Sequence, residues 1–284
     1  MNSLTAKLLR VVACGANPDV NLAVLLTHAK KNKILLHLLR ALNIEGPLRE
    51  QQELGISEVT KVIQTLSKLL TNYNYVFFKL VKPVRYVPAD VDLLIEESQV
   101  VKAAHRIMGL GYRVAVKDPY CLTLTKGDSI IDLYVHPSLG GVIFINGQKL
   151  LEHKCLKEFD GNEVISLEGY AEALVAASHA IYKERIYTLN DYLTVEEWTS
   201  KKTIKLSQQL NCEEVLKTAI NVNGKISRGM LQAPYRIPFS AWLPIWTRKL
   251  QKDSLTRATS MNILRTLPDK RTGKLLISKL VTET

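Results

Sequence analysis

The sequence predicts an α+β protein, with a small mixed β-sheet in the middle of the chain and helical regions before and after it. Three observations predict this. Apolar residues recur at helical spacing through residues 1–70, short β-branched and aromatic runs replace them over 71–165, and helical spacing returns over 166–284. A chain of 284 residues that is 46% hydrophobic and 23% charged can bury a real core, which argues against wholesale disorder.

In the first region Asn17-Pro18 reads as an N-cap with proline at the first helical position. Leu22, Val24, Leu25, Leu26, Ile34, Leu35, Leu38 and Leu39 follow at mostly helical spacing. A loop at Gly46-Pro47 then leads to a helix starting near Ser57, with a stripe of Val59, Val62, Ile63, Leu66, Leu69 and Leu70. In the middle region Tyr75 to Val81 reads as a strand stopped by Pro83, and Val91 to Ile95 as a second. Ser98 opens a helix through Val101, Ala104, Ile107 and Met108 that closes at Gly109-Leu110-Gly111. Tyr112 to Val116 is a third strand. Tyr120 to Thr125 and Ser129 to Val135 flank Lys126-Gly127-Asp128 as a hairpin. The order is β-β-α-β-β-β, with the helix on one face of the sheet.

After His136-Pro137 the sequence predicts a short strand or helix to about Cys155 and a strand at Glu163 to Ile165. Helices dominate from Ser166, one of them opened by a capping box at Thr194-Val-Glu-Glu197. Ala233 to Pro244, with three prolines, reads as an ordered loop between helices.

Composition narrows the function classes. No apolar run reaches the roughly 18 to 20 residues of a membrane-spanning helix. Arg10 interrupts the stretch before Cys14, so no leader is expected and a cytoplasmic location is. Cys14, Cys121, Cys155 and Cys212 are widely spaced, without the paired spacing of a structural zinc site. Gly-x-Ser-x-Gly and His-Glu-x-x-His are absent, as are the glycines that would make Thr272-Gly273-Lys274 a P-loop or Gly109-Leu110-Gly111 a dinucleotide fingerprint. Net charge is +11, and Lys225 to Thr284 holds 12 Lys or Arg against three acids, a net of +9. That tail, where Trp242, Trp246, Leu250, Ile263, Leu264, Leu267, Leu275, Leu276 and Ile277 interleave with the basic residues, suits RNA or another polyanion. It equally suits a basic amphipathic helix packed on its own domain.

The residues that point to chemistry are carboxylates. Strand side chains alternate faces, so Asp90 and Asp92 share one, with Cα atoms roughly 6.5 Å apart. In the hairpin Ile130, Asp132 and Tyr134 share a face, which makes Asp132 a third acid inside an apolar strand. Three carboxylates on one sheet repel one another unless a cation joins them. Mg²⁺ or Mn²⁺ takes carboxylate and phosphate oxygens together, and two such ions roughly 3.5 to 4 Å apart suit phosphoryl or nucleotidyl transfer. The alternative is a turn aspartate at Asp90, with Asp92 and Asp132 paired to basic neighbours.

Asp90-Val-Asp92-Leu-Leu-Ile, a helix ending Gly109-Leu-Gly-Tyr112, and Ile130-Ile-Asp132-Leu resemble the nucleotidyltransferase superfamily related to DNA polymerase β. The nearest likeness is to uncharacterised archaeal and bacterial members with a helical C-terminal region, in which a segment like His179 to Asp191 follows the catalytic domain. The resemblance covers about residues 70–195 and implies a nucleotidyltransferase-like α/β core at 71–165. With the periodicity and charge above, this divides the chain into a helical region at 1–70, that core, and a helical, basic domain at 166–284. The resemblance further implies Asp90, Asp92 and Asp132 as catalytic and metal-binding residues, Mg²⁺ or Mn²⁺ as cofactor, and an NTP as substrate. One departure stands out. The superfamily carries Gly-Ser or Gly-Gly about ten residues before Asp-x-Asp to hold phosphates through the backbone, and here that place reads Phe78-Lys79-Leu80. Lys79, Lys82 and Arg85 could contact phosphate through side chains instead, or could simply solvate a strand end. Lys183, four residues after His179 and beside Tyr182, is a further nucleotide-binding candidate whose alternative is packing. His136 could help place a metal or nucleotide, or could be structural. Without catalysis, the same fold could serve as a module that binds nucleotide, nucleic acid or a protein.

Overall fold

The computed structural model describes residues 3–16 and 20–266. The Asn17-Pro18 cap, Leu267, Thr272-Gly273-Lys274, and Leu275, Leu276 and Ile277 lie outside the described residues. Helices α1 (Leu4–Cys14), α2 (Leu22–Lys31), α3 (Leu35–Ala41) and α4 (Pro47–Leu69) come first. They lead into β1 (Tyr75–Phe77), β2 (Val91–Ile95), α5 (Val100–Gly109), β3 (Arg113–Asp118), β4 (Cys121–Lys126) and β5 (Ser129–Tyr134). A small hairpin of β6 (Ser138–Leu139) and β7 (Val142–Ile143) follows, then α6 (Gly147–Leu150), β8 (Lys154–Phe159) and β9 (Asn162–Leu167). The remainder is α7 (Gly169–Ser178), a π-helical turn at His179–Glu184, β10 (Ile186–Tyr187), α8 (Leu189–Trp198), α9 (Lys201–Gln209), α10 (Glu213–Ser227), β11 (Tyr235–Arg236), α11 (Phe239–Lys252), α12 (Ser254–Thr259) and α13 (Asn262–Thr266).

The α+β expectation holds. The main sheet has seven strands in the order β3-β4-β5-β2-β1-β9-β8. It is mixed, because β2 pairs β5 in parallel and β1 antiparallel, while β1 pairs β9 in parallel. All five residues of β2 are buried, as befits a strand covered on both faces. Strand alternation sorts the two cores. Tyr75, Phe77, Leu93, Ile95, Ile131 and Leu133 face α4 and α5. Val76, Leu94 and Tyr134 face the opposite core, where Leu8, Leu25 and Leu38 of the first helices meet Leu174, Val195, Val215 and Trp242 of the later ones. Asp92 and Asp132 have the parity of Leu94 and Tyr134, so they point into this second, helix-covered side.

Several boundaries differ from the sequence expectation, each for a local reason. The helix expected near Ser57 starts at Pro47, directly after Gly46, whose φ of 114° only glycine takes without strain. Its first turns hide because Leu48 and Leu54 are exposed and break the apolar stripe. The periodic run from Leu22 to Leu39 is two helices, separated at Asn32–Ile34 where Lys33 takes a φ of 57°. The first strand ends at Phe77 and not at Val81, since Lys79 adopts φ 60° and turns the chain out of the sheet. The capping box belongs to Thr188 and Asp191, while Thr194 lies inside α8 and donates to the Asn190 carbonyl at 2.7 Å. Part of the loop expected at Ala233 to Pro244 is β11 and the opening of α11, which holds Pro244 inside it and buries Trp242, Ile245, Trp246 and Lys249. The strand at Lys154 lies at the sheet's edge, and Lys154, Lys157 and Glu158 among its six residues obscure an apolar pattern. No described helix is long and apolar enough to cross a membrane.

Candidate metal centre

The loop over residues 78–90 leaves β1 and delivers Asp90 to the start of β2. Asp92 is the second residue of that strand, and the parallel register sets it directly beside Asp132 of β5. One carboxylate oxygen from each of Asp90, Asp92 and Asp132 lies within 4.8 Å of the other two. The side chains therefore converge: strand parity and the parallel register bring Asp92 and Asp132 together, and Asp90 joins them from the bend just before β2, the turn position that was its alternative. Asp92 is buried, while Asp90 and Asp132 are partly open.

Lys79 supplies positive charge to this group, its Nζ lying 2.7 Å from Asp92 Oδ1 as an ion pair. The ammonium also sits 5.2 Å from the Phe78 ring centroid and 5.4 Å from that of Tyr134. Burial pushes the Asp92 carboxyl up to about 7, against the pull of Lys79, and Asp90 and Asp132 push it further the same way. For the Lys79 ammonium burial works downward, but Asp92, Asp90 and Asp132 together hold it above the ordinary lysine range. Asp132 is oriented by two hydroxyls: Thr123 Oγ1 donates to Oδ1 at 2.6 Å, and Tyr134 donates to Oδ2 at 3.2 Å. Lys183 Nζ in turn donates to the Tyr134 oxygen at 3.1 Å, one step behind the carboxylates.

The other lysine and arginine candidates are more scattered. Lys82 Nζ, on the same loop, donates to Asn190 Oδ1 at 2.6 Å. Arg85 is exposed, and its backbone N–H donates to His37 Nδ1 at 3.3 Å. The partners expected near Lys183 turn elsewhere. The π-helical turn shifts the register so that His179 Nε2 lies 3.7 Å from Glu184 Oε1, and Tyr182 is buried against Phe144 and Trp246. His136 is structural: its Nδ1 accepts the Gly147 N–H at 2.9 Å, and its ring meets Tyr120 edge-on. A side chain at Gly147 would put a Cβ 2.1 Å from the Val135 carbonyl oxygen, so that bond depends on the glycine.

Sequence reasoning missed the support behind Lys79. Glu172 in α7 is fully buried and accepts the Lys79 backbone N–H at 2.8 and 3.1 Å, one bond to each oxygen. The Tyr86 hydroxyl donates to the Lys79 carbonyl. Burial pushes the Glu172 carboxyl up to about 7, with Lys82 and Lys157 pulling the other way. The signal was present in the sequence, because a lone carboxylate in the run Ala171 to Ser178 must find a partner when the helix is buried.

The donor set fits a hard divalent cation: three carboxylates converge, and one ammonium offsets one of their charges. Asp90, Asp92 and Asp132 would hold the ion, which would polarise phosphate oxygens and activate a hydroxyl. No family model and no curated protein matches the chain. Among solved structures, the chain is similar to the antibiotic-resistance factor ANT(2'')-Ia in solution, at 14% identity and a TM-score of 0.31, over 63% of this chain and 91% of that one. It is also similar to ANT(2'')-Ia in a crystal complex with adenylyl-2''-tobramycin, at 14% identity and a TM-score of 0.31, over 62% of this chain and 95% of that one. A likeness at this level adds no weight to the site, which stands on its carboxylate geometry.

Proposed function

We propose that the protein is a Mg²⁺- or Mn²⁺-dependent nucleotidyltransferase that moves a nucleotide from an NTP to an acceptor hydroxyl or phosphate. The observation that carries this reading is the convergence of Asp90, Asp92 and Asp132 within 4.8 Å across two parallel strands. Removing a phosphate's leaving group requires charge stabilisation and in-line placement, and carboxylate-held cations supply both. Asp132, held by Thr123 and Tyr134, is the residue suited to orient the acceptor. Lys79 on Asp92 and Lys183 behind Tyr134 are the cationic candidates nearest the carboxylates for the triphosphate, with Lys82 and Arg85 as further ones. RNA is the acceptor to try first, because the segment from Lys225 onward carries a net charge of +9.

A labelled-NTP transfer assay with Mg²⁺ and mixed RNA tests the reading. Transfer that Asp92→Ala abolishes supports it. One observation favours a second reading, a non-catalytic module that binds nucleotide, nucleic acid or a protein: Lys79 and its pairing with Asp92 stand where the superfamily's glycine turn is expected. NTP binding without turnover, across acceptors and metals, would select that reading.

A further inference from the structure

We propose that Lys79 is a fixed second cation, so that the site takes one divalent ion where a two-ion site would take two. This rests on the metal reading above and specifies its stoichiometry. The charge count sets the expectation. Three ionised carboxylates less one ammonium leave two negative charges, which one divalent ion neutralises; a second ion would leave an excess of two positive charges with the ammonium in place and of only one without it.

Geometry argues that the ammonium is a built-in component and no passing surface lysine. The backbone of Lys79 is gripped on both sides: its N–H by the two oxygens of Glu172, and its carbonyl by the Tyr86 hydroxyl. That grip holds a left-handed φ of 60° at a residue with a side chain, a conformation the local chain would not choose unaided. The ammonium then ends 2.7 Å from Asp92 Oδ1, beside Phe78 and Tyr134. Glu172 is itself secured by burial in α7, where every residue from Ala171 to Ser178 is buried. A lysine needed only for solubility requires none of this. One whose charge must sit at a fixed point requires all of it. In this scheme Lys79 is bound to the side of Asp92 that a second ion would occupy, and Glu172 is a positioning residue that acts through it.

The test is a Mn²⁺ titration of the full-length protein followed by electron paramagnetic resonance, with Mn²⁺ alone as the probe. The wild type should bind one ion per chain and give an uncoupled signal. Lys79→Gln should bind two and give the exchange-coupled signal of neighbouring ions, roughly 3.5 to 4 Å apart. Lys79→Arg keeps the charge and should remain at one. Two coupled ions in the wild type would overturn the proposal even if Lys79→Gln failed to fold. One ion in folded Lys79→Gln, at any affinity, would overturn it as well, and so would a wild type that binds none while Lys79→Gln binds one. Binding of no ion by any of the three proteins would remove the metal reading itself and this inference with it.

Discussion

Two lysine–aspartate pairs in this molecule, each with one buried and one half-buried partner, look alike and are built differently. Lys249 in α11 is completely buried, with Nζ 2.6 Å from Asp253 Oδ2. It also donates to the Leu210 carbonyl at 2.6 Å and meets Cys212 Sγ at 3.5 Å. Asp253 uses its other oxygen to cap α12, accepting from Leu255 and Thr256. Each charge there has one opposite charge, and the donors and acceptors close on themselves. At the other pair Lys79 meets Asp92 with Asp90 and Asp132 beside it, so negative charge exceeds positive. A balanced buried pair fixes structure, whereas an unbalanced one calls for a ligand.

Substitutions at the two pairs should therefore separate cleanly. The largest effect is expected at the triad: Asp132→Asn should lower nucleotidyl transfer by about 10³-fold, or about 4 kcal/mol in the barrier, while urea unfolding stays near wild type. Equal losses of stability and activity would make Asp132 structural. At the balanced pair, Lys249→Met should cost about 3 kcal/mol in urea unfolding by leaving Asp253 without its partner, and should leave Mn²⁺ binding unchanged. A changed Mn²⁺ affinity would erase the distinction between the pairs.

Glu172 gives a pH-dependent contrast. Its folded carboxyl is raised to about 7, above the unfolded value of 4.5, so the folded state holds the proton longer. Stability from this group is greatest at acid pH and is lost as pH rises from about 4.5 to about 7. Glu172→Gln should remove that component, flattening the pH dependence of the unfolding free energy across this window by roughly 3 kcal/mol. Parallel wild-type and mutant profiles would contradict it. The smallest effect belongs to Tyr134→Phe, which deletes the 3.2 Å hydrogen bond to Asp132 and should weaken Mn²⁺ binding by about tenfold.

What the sequence reveals and what it hides follow the range of the interactions. Asp92 and Asp132 could each be assigned to a strand face because alternation is a local rule, and the parallel register then needed only Val91 to meet Ile131; Asp90 reaches the same group from the bend before β2. The strand at Tyr75 was legible, but its end at Phe77 was not, because the turn at Lys79 is held by Glu172, which is 93 residues away. The same distance hid the role of Glu172, visible in sequence only as an interruption of an apolar run. Lys183 could be placed near the site but its contact could not, since the π-helical turn changes which neighbours share a face. The edge strand β8 had no apolar pattern to betray it, with Leu156 exposed and Lys157 and Glu158 following it.

A crystal structure of the protein soaked with Mn²⁺ and a non-hydrolysable NTP tests most directly whether the gathered carboxylates hold an ion. Anomalous density should appear among the three aspartates, with metal–oxygen distances of roughly 2.0 to 2.3 Å and the Lys79 ammonium still on Asp92. Saturating Mn²⁺ with no such density, and nucleotide bound elsewhere or not at all, would show that the gathered carboxylates are not there to hold an ion.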